Sequence, residues 1–110
     1  MVRQGDIIKV SFNPQKGHEQ EGYRPAVVIS NDTFNQRTNL TIVCPITNTN
    51  NHFPLHIPLD GRSKTTGVVL CEHVKALDLK ARPYTVVEQI PKELLKKIID
   101  TVYAEVEFNQ

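Results

Sequence analysis

Long apolar runs are missing from this chain. No segment approaches the roughly 18 consecutive apolar residues that a membrane-spanning helix requires. Met1 is followed by Val-Arg-Gln-Gly-Asp rather than by an apolar signal core, so a soluble, cytoplasmic protein is expected, with no membrane partner. Cysteine is scarce as well: Cys44 and Cys71 are the only two, too few for the disulfide framework of a secreted scaffold. Each sits in an apolar run, where a free thiol behaves as a small hydrophobe, and reduced core thiols are expected. Neither sign of charge is in excess. Lysine and arginine number 13 against 12 acidic residues, for a net charge of +1, so composition argues for neither a nucleic-acid-coating nor a membrane-binding surface. Any anionic ligand has to be held by local geometry. Strand alternation would put Cys71 and His73 on one face, but Cys44, His52 and His56 show nothing like the paired CxxC or HExxH signatures of metal sites. No metal and no cofactor is expected. With 110 residues, 39% of them apolar, the chain suits one domain, 1–110, with one modest core.

What is present is a succession of short β-branched runs. Residues 5–12 read as a first strand ending at Asn13-Pro14, and residues 25–30 as a second. Residues 31–38 are polar and turn-rich, with room for one helical turn, before residues 40–46 supply a third strand that ends at Thr47. An Asn/Thr loop at 48–52 leads to a short strand at 55–59 containing His56. A polar connection over 60–66 then leads to a fifth strand at 67–74. Leu77 and Leu79 alternate with charged neighbours, which fits either an extension of that strand or a short irregular turn. The C-terminal segment changes period: Leu94, Leu95, Ile98, Ile99, Val102, Tyr103 and Val106 recur at three- and four-residue spacing, the mark of an amphipathic helix. Pro91 suits its first position, where an amide has no intrahelical partner. Five strands, long loops and one terminal helix describe a mainly β fold, a small twisted barrel or half-barrel with the helix over one face.

The densest chemistry lies between the first two strands. Residues 17–25 read Gly-His-Glu-Gln-Glu-Gly-Tyr-Arg-Pro, and the two glycines let the backbone turn tightly while the strand after Pro25 anchors the loop's end. His18, Glu19, Gln20 and Arg24 are thereby able to converge on one small ligand. Such a set suits phosphate. The guanidinium of Arg24 is planar, always charged and shaped to span two phosphate oxygens, and an unperturbed imidazole changes charge near neutrality, so His18 is a candidate to accept or donate a proton. The plainer alternative pairs Arg24 with Glu19 or Glu21 to stiffen the loop.

This block resembles the MazF/PemK/Kid family of toxin endoribonucleases, whose first long loop reads Gly-(His/Ser)-Glu-Gln-x-Gly-x-Arg-Pro before a Val/Ile-rich strand. The likeness extends to Gly5-Asp6, to residues 31–47, to Thr66–His73, to Asp78-Leu79-Lys80-Ala81-Arg82 and to the terminal helix. It implies an SH3-like barrel of the PemK/CcdB type, a homodimer, cleavage of single-stranded RNA at short sequences and inhibition by a MazE-like antitoxin with an acidic, extended tail. It also implies a catalytic role for Thr47, at the end of an apolar strand running into Ile-Thr, beside Arg24 and His18. Thr65-Thr66-Gly67-Val68-Val69-Leu70-Cys71-Glu72 is similar to the Kid-branch segment Thr-Gly-Val-Val-x-Cys-Asp. Thr66 and Glu72, with Glu19 and Gln20, are therefore candidate RNA contacts. Two departures stand out. Leu70 occupies the place of a Kid-branch arginine proposed as the acid, and Glu72 that of an aspartate proposed as the base. Leucine transfers no proton, so the acid's role falls to Arg24, His18 or solvent.

Metal-free RNA cleavage needs a base for the ribose 2′-hydroxyl, cationic donors for the crowded phosphorane and an acid for the leaving 5′-oxygen. The 17–25 block holds candidates for all three. Two alternatives remain open. A non-catalytic module such as a CcdB-like gyrase inhibitor would use the helix and its C-terminal edge. A plain RNA-binding barrel would use stacking aromatics, although Phe and Tyr at 12, 23, 34, 53, 84, 103 and 108 are scattered. Lys16, Arg37, Lys75 and Arg82 are possible basic flanks of an RNA groove, and the loops at 31–38 and 48–53, rich in amides and hydroxyls, are candidate base readers.

Overall fold

The computed structural model describes residues 1–12, 23–49 and 53–110. In chain order the elements are β1 (Asp6–Ser11), β2 (Tyr23–Val28), α1 (Asp32–Thr38), β3 (Thr41–Thr47), β4 (His56–Pro58), β5 (Val68–Leu70), β6 (Lys75–Leu77), β7 (Tyr84–Gln89) and α2 (Lys92–Val106). The strands form one antiparallel sheet of order β4-β5-β3-β2-β1-β7, with β6 also on β3. Strand β3 is long enough to serve two neighbours along one edge: its first half pairs with β6 and its last two residues with β5. The fold is mainly β with a C-terminal helix. Among the described residues no hydrogen-bonded pairing joins β4 to β7, so closure into a barrel is not seen.

Alternation along the strands sorts the interior into two apolar clusters, one on each face, rather than the single core suggested by composition. Ile7, Val27, Cys44, Ile46, Ile57, Val69 and Ile98 belong to one, with Leu94, Leu95 and Val102 of α2 packed on it. Ile8, Val10, Ala26, Val28, Val43 and Leu77 form the other. The period-of-two switch between Ile7 and Ile8, and between Val27 and its neighbours, is the pleat itself. Burial of the α2 stripe explains why this helix forms despite carrying no side-chain cap. Among the described residues no helix is long and apolar enough to cross a membrane.

Several boundaries differ from those the sequence pattern suggests. Among the described residues seven strands form where five are legible. β2 begins at Tyr23, two residues before the expected start at Pro25, so Arg24 lies inside the strand rather than ahead of it. Residues 31–38 hold a helix of seven residues, capped by Asn31, whose side chain accepts from the Phe34 amide at 2.8 Å, and closed by Asn39 in the left-handed region at φ 60°. The strand expected at 67–74 stops at Leu70. The chain turns at Cys71-Glu72, and Leu77 falls in a separate strand with Leu79 in the turn beyond it. Cys71 is consequently buried while the His73 side chain is 56% exposed, so the two do not share a strand face. Pro91, at φ −58° and ψ 142°, is the N-cap and not the first helical residue; its carbonyl accepts from the amides of Leu94 and Leu95.

Candidate active site

Arg24 projects from β2 opposite Val10 of β1. Its position in the pleat gives it the face of Ala26 and Val28, the face turned away from α2. It is exposed, and among the described residues it forms no ion pair. Thr47 is the last residue of β3. The β2–β3 register runs Val28↔Val43, Val27↔Cys44, Ala26↔Pro45. That pairing ends at Ala26↔Pro45, and Arg24 and Thr47 each lie two residues beyond it, on the same face of adjacent strands. A guanidinium and a hydroxyl are thus presented by adjacent strands, a geometry suited to gripping one phosphate. The Thr47 hydroxyl accepts from the Thr49 amide at 3.1 Å, which orients it and leaves its proton to donate.

Thr66 lies at this same end of the sheet. Its hydroxyl donates to Asn48 Oδ1 at 3.1 Å. The next residue, Gly67, has φ +118°, and a Cβ there would stand 2.4 Å from the Thr47 carbonyl oxygen. Only glycine lets the Thr66–Gly67 backbone lie so close against the end of β3. Glu72, in contrast, sits past the opposite end of β5. Its carboxylate meets His56 Nε2 at 2.8 Å, with His73 Nε2 at 3.8 Å. Burial works to raise the Glu72 carboxyl, but its own backbone amide and the His56 imidazole outweigh burial and hold it below the ordinary carboxylate range. Of the candidate residues, then, Thr47 and Thr66 lie together at the end of β3, Arg24 is on the neighbouring strand β2, and Glu72 belongs to a second, histidine-flanked cluster. His18, Glu19 and Gln20 lie outside the described residues, as does Lys16. Arg82 is tied down rather than free to flank a groove: its Nη1 donates to the Ser11 carbonyl at 2.8 Å. Arg37 and Lys75 are exposed.

A family model described as PemK-like, MazF-like toxin of type II toxin-antitoxin system matches residues 3–104. The chain belongs to this family. Among curated relatives, Endoribonuclease PemK of Escherichia coli is 34% identical over 102 residues, covering 89% of this chain and 77% of that protein. Endoribonuclease toxin MazF of Escherichia coli K12 is 37% identical over 94 residues, covering 86% and 84%. Among solved structures, MazF from Deinococcus radiodurans is 30% identical with a TM-score of 0.84 across 97% of both chains. A MazE-MazF structure from the same organism matches at 27% identity, TM-score 0.86, across 98% of both.

Within this MazF-like toxin, two side chains matter locally that sequence reasoning did not single out. His56 is the cross-strand partner of Leu70, so an imidazole stands beside the position where the Kid branch carries its arginine. Its side chain is only 6% exposed. Glu88 on β7 accepts from the backbone of the loop that carries Thr66. Neither has a local signature: each is recognisable only through a partner more than a dozen residues away in sequence. The two thiols of the toxin are inert core groups. Burial, followed by neighbouring negative charge, pushes Cys44 and Cys71 up to about 12.

Proposed function

We propose that this toxin is a sequence-specific, metal-independent endoribonuclease that cleaves single-stranded RNA, mRNA included, by attack of a ribose 2′-hydroxyl on the adjacent phosphate. The observation that supports this reading is that Arg24 on β2 and Thr47 at the end of β3 occupy the same face of adjacent, paired strands. Arg24 neutralises charge on the phosphorane, and the Thr47 hydroxyl donates to a non-bridging oxygen. His18 moves a proton at one end of the displacement, with Arg24 or solvent available at the other. Glu19, Gln20 and Thr66 contact RNA around the cut, with Glu72 a further RNA contact past the other end of β5. The products are a 2′,3′-cyclic phosphate and a 5′-hydroxyl. One domain, 1–110, performs this chemistry as a homodimer in the cytoplasm, without a cofactor.

Incubating the purified chain with a long unstructured RNA in the presence of a chelator, then mapping the ends, tests the reaction. Cuts at a recurring short sequence, with cyclic-phosphate ends, are expected. Intact RNA, or activity restored only by adding a divalent metal, would count against it.

Control follows from the same charges. A groove that holds RNA around Arg24 also attracts an acidic, extended peptide, so the cognate antitoxin is a MazE-like protein whose tail folds onto the dimer at a seam using part of α2. Its tail is expected to displace a non-cleavable RNA in a competition titration. Simultaneous binding of tail and RNA would instead mean that inhibition acts by distortion elsewhere.

A further inference from the structure

Strand β7 carries a register shift against β1: Ile7 pairs with Glu88 but Ile8 pairs with Val86, leaving Val87 as the extra residue. A bulge of this kind reverses the side-chain parity on either side of it. Val86 stays with the face of Ile8, whereas Glu88 is turned to the face of Ile7, the side on which α2 packs. There its carboxylate meets the β4–β5 connection. One oxygen accepts from the Lys64 amide at 3.1 Å, and the other accepts from the Thr65 amide and the Thr65 hydroxyl, both at 2.8 Å. Burial works to raise this carboxyl, but the Thr65 amide and hydroxyl and the Lys64 amide outweigh it and hold it charged. No strand pairing links the sheet's two outer strands among the described residues, but this side chain ties β7 to the connection that follows β4.

The connection it holds is the one that reaches the candidate site. Thr65 is followed by Thr66, which donates to Asn48, and by Gly67, whose Cα stands against the Thr47 carbonyl. The Leu59 amide donates to the Gly67 carbonyl at 2.9 Å and closes the base of the loop. A continuous chain of contacts therefore runs from Glu88 through Thr65 and Thr66 to the end of β3. We infer that Glu88 is a positioning residue: it sets Thr66 at the RNA-binding surface beside Thr47, and so governs how tightly RNA is held at the cut. This inference rests on the endoribonuclease reading above. Glu88 itself touches no substrate; it acts through the loop.

The test compares wild type with Glu88→Ala, Glu88→Gln, Thr66→Ala and the double variant Glu88→Ala/Thr66→Ala, each checked for folding by circular dichroism. Two measurements are made. Amide hydrogen exchange at Lys64 and Thr65 is read without RNA, and KM and kcat are read on one short RNA. In Glu88→Ala, faster exchange at both amides and a KM raised about tenfold are expected, with kcat changed far less. Glu88→Gln, which keeps one acceptor for the Thr65 amide, is expected to recover part of the loss, and it replaces the alanine variant if that fails to fold. On the Thr66→Ala background the Glu88 substitution is expected to add little, because both act through one contact. A purely structural role would leave KM unchanged or make the two effects additive; either result overturns the proposal, as does unchanged amide exchange. Wild-type protein that leaves RNA uncut would remove the parent reading, and this inference with it. The exchange data would separate that failure from an error in the loop geometry.

Discussion

Replacing the single ribose on the 5′ side of the scissile phosphate by deoxyribose is expected to abolish cleavage at that bond, while other sites in the same strand are still cut. In the proposed reaction the nucleophile is the neighbouring 2′-hydroxyl, already tethered about one bond rotation from phosphorus. Intramolecular placement of this kind is equivalent to an effective concentration of about 10⁵–10⁸ M. In that proposal Arg24 and Thr47 only stabilise charge on the phosphate, and neither supplies a nucleophile in its place. Loss of the hydroxyl should therefore cost at least about five orders of magnitude, beyond the reach of an end-labelled gel assay. DNA should be left intact for the same reason. A deoxy-substituted strand still cut at the substituted position would exclude 2′-hydroxyl attack and point to a bound water as nucleophile.

Arg24→Ala is expected to lower the single-turnover cleavage rate by roughly 100- to 1,000-fold, corresponding to about 2.7–4 kcal/mol of barrier for the loss of one charge-stabilising donor. Its position makes this a clean experiment. Arg24 is exposed, forms no ion pair among the described residues and faces away from α2. Surface substitutions of that kind usually change stability by no more than about 0.5 kcal/mol. The variant should fold and assemble as wild type does. Arg24→Lys should recover only part of the rate, since an ammonium keeps the charge but cannot span two phosphate oxygens. Wild-type rates in a folded Arg24→Ala protein would remove Arg24 from the mechanism and leave the loop-stiffening alternative in its place.

Much of the architecture was legible from residue pattern. Apolar stripes at three- and four-residue spacing announce α2, and β-branched runs announce β1, β2 and β3 within one or two residues. These signals are local, because a helix face or a central strand buries side chains spaced a few positions apart. Strand β7 carries no clear signal in the residue pattern, and the physical reason is its place at the sheet's edge. Val86 and Val87 are 47% and 38% exposed, and the bulge interrupts the alternation that would mark a half-buried strand. The pattern extends β5 too far because Val68-Val69-Leu70-Cys71 runs on to Val74 without a glycine or proline to mark the Cys71–Glu72 turn, and such a turn is fixed by what each half packs against.

The site divides in the same way. Residue types alone pointed to Arg24, and the match of a contiguous motif to Thr47, Thr66 and Glu72. The sequence by itself thus determined which groups are available: a fixed cation, a hydroxyl at a strand end and a loop rich in acid–base side chains. It also determined that the thiols are core. Tertiary structure decided which of them meet. The register of β2 on β3 brings Arg24 toward Thr47, and the ends of β5 separate Thr66 from Glu72. His56 acquires Glu72 as a partner 16 residues away, and Glu88 acquires Thr65 at a separation of 23. Such pairings arise because a carboxylate removed from water requires compensating donors, and only the folded sheet determines which donors are within its reach.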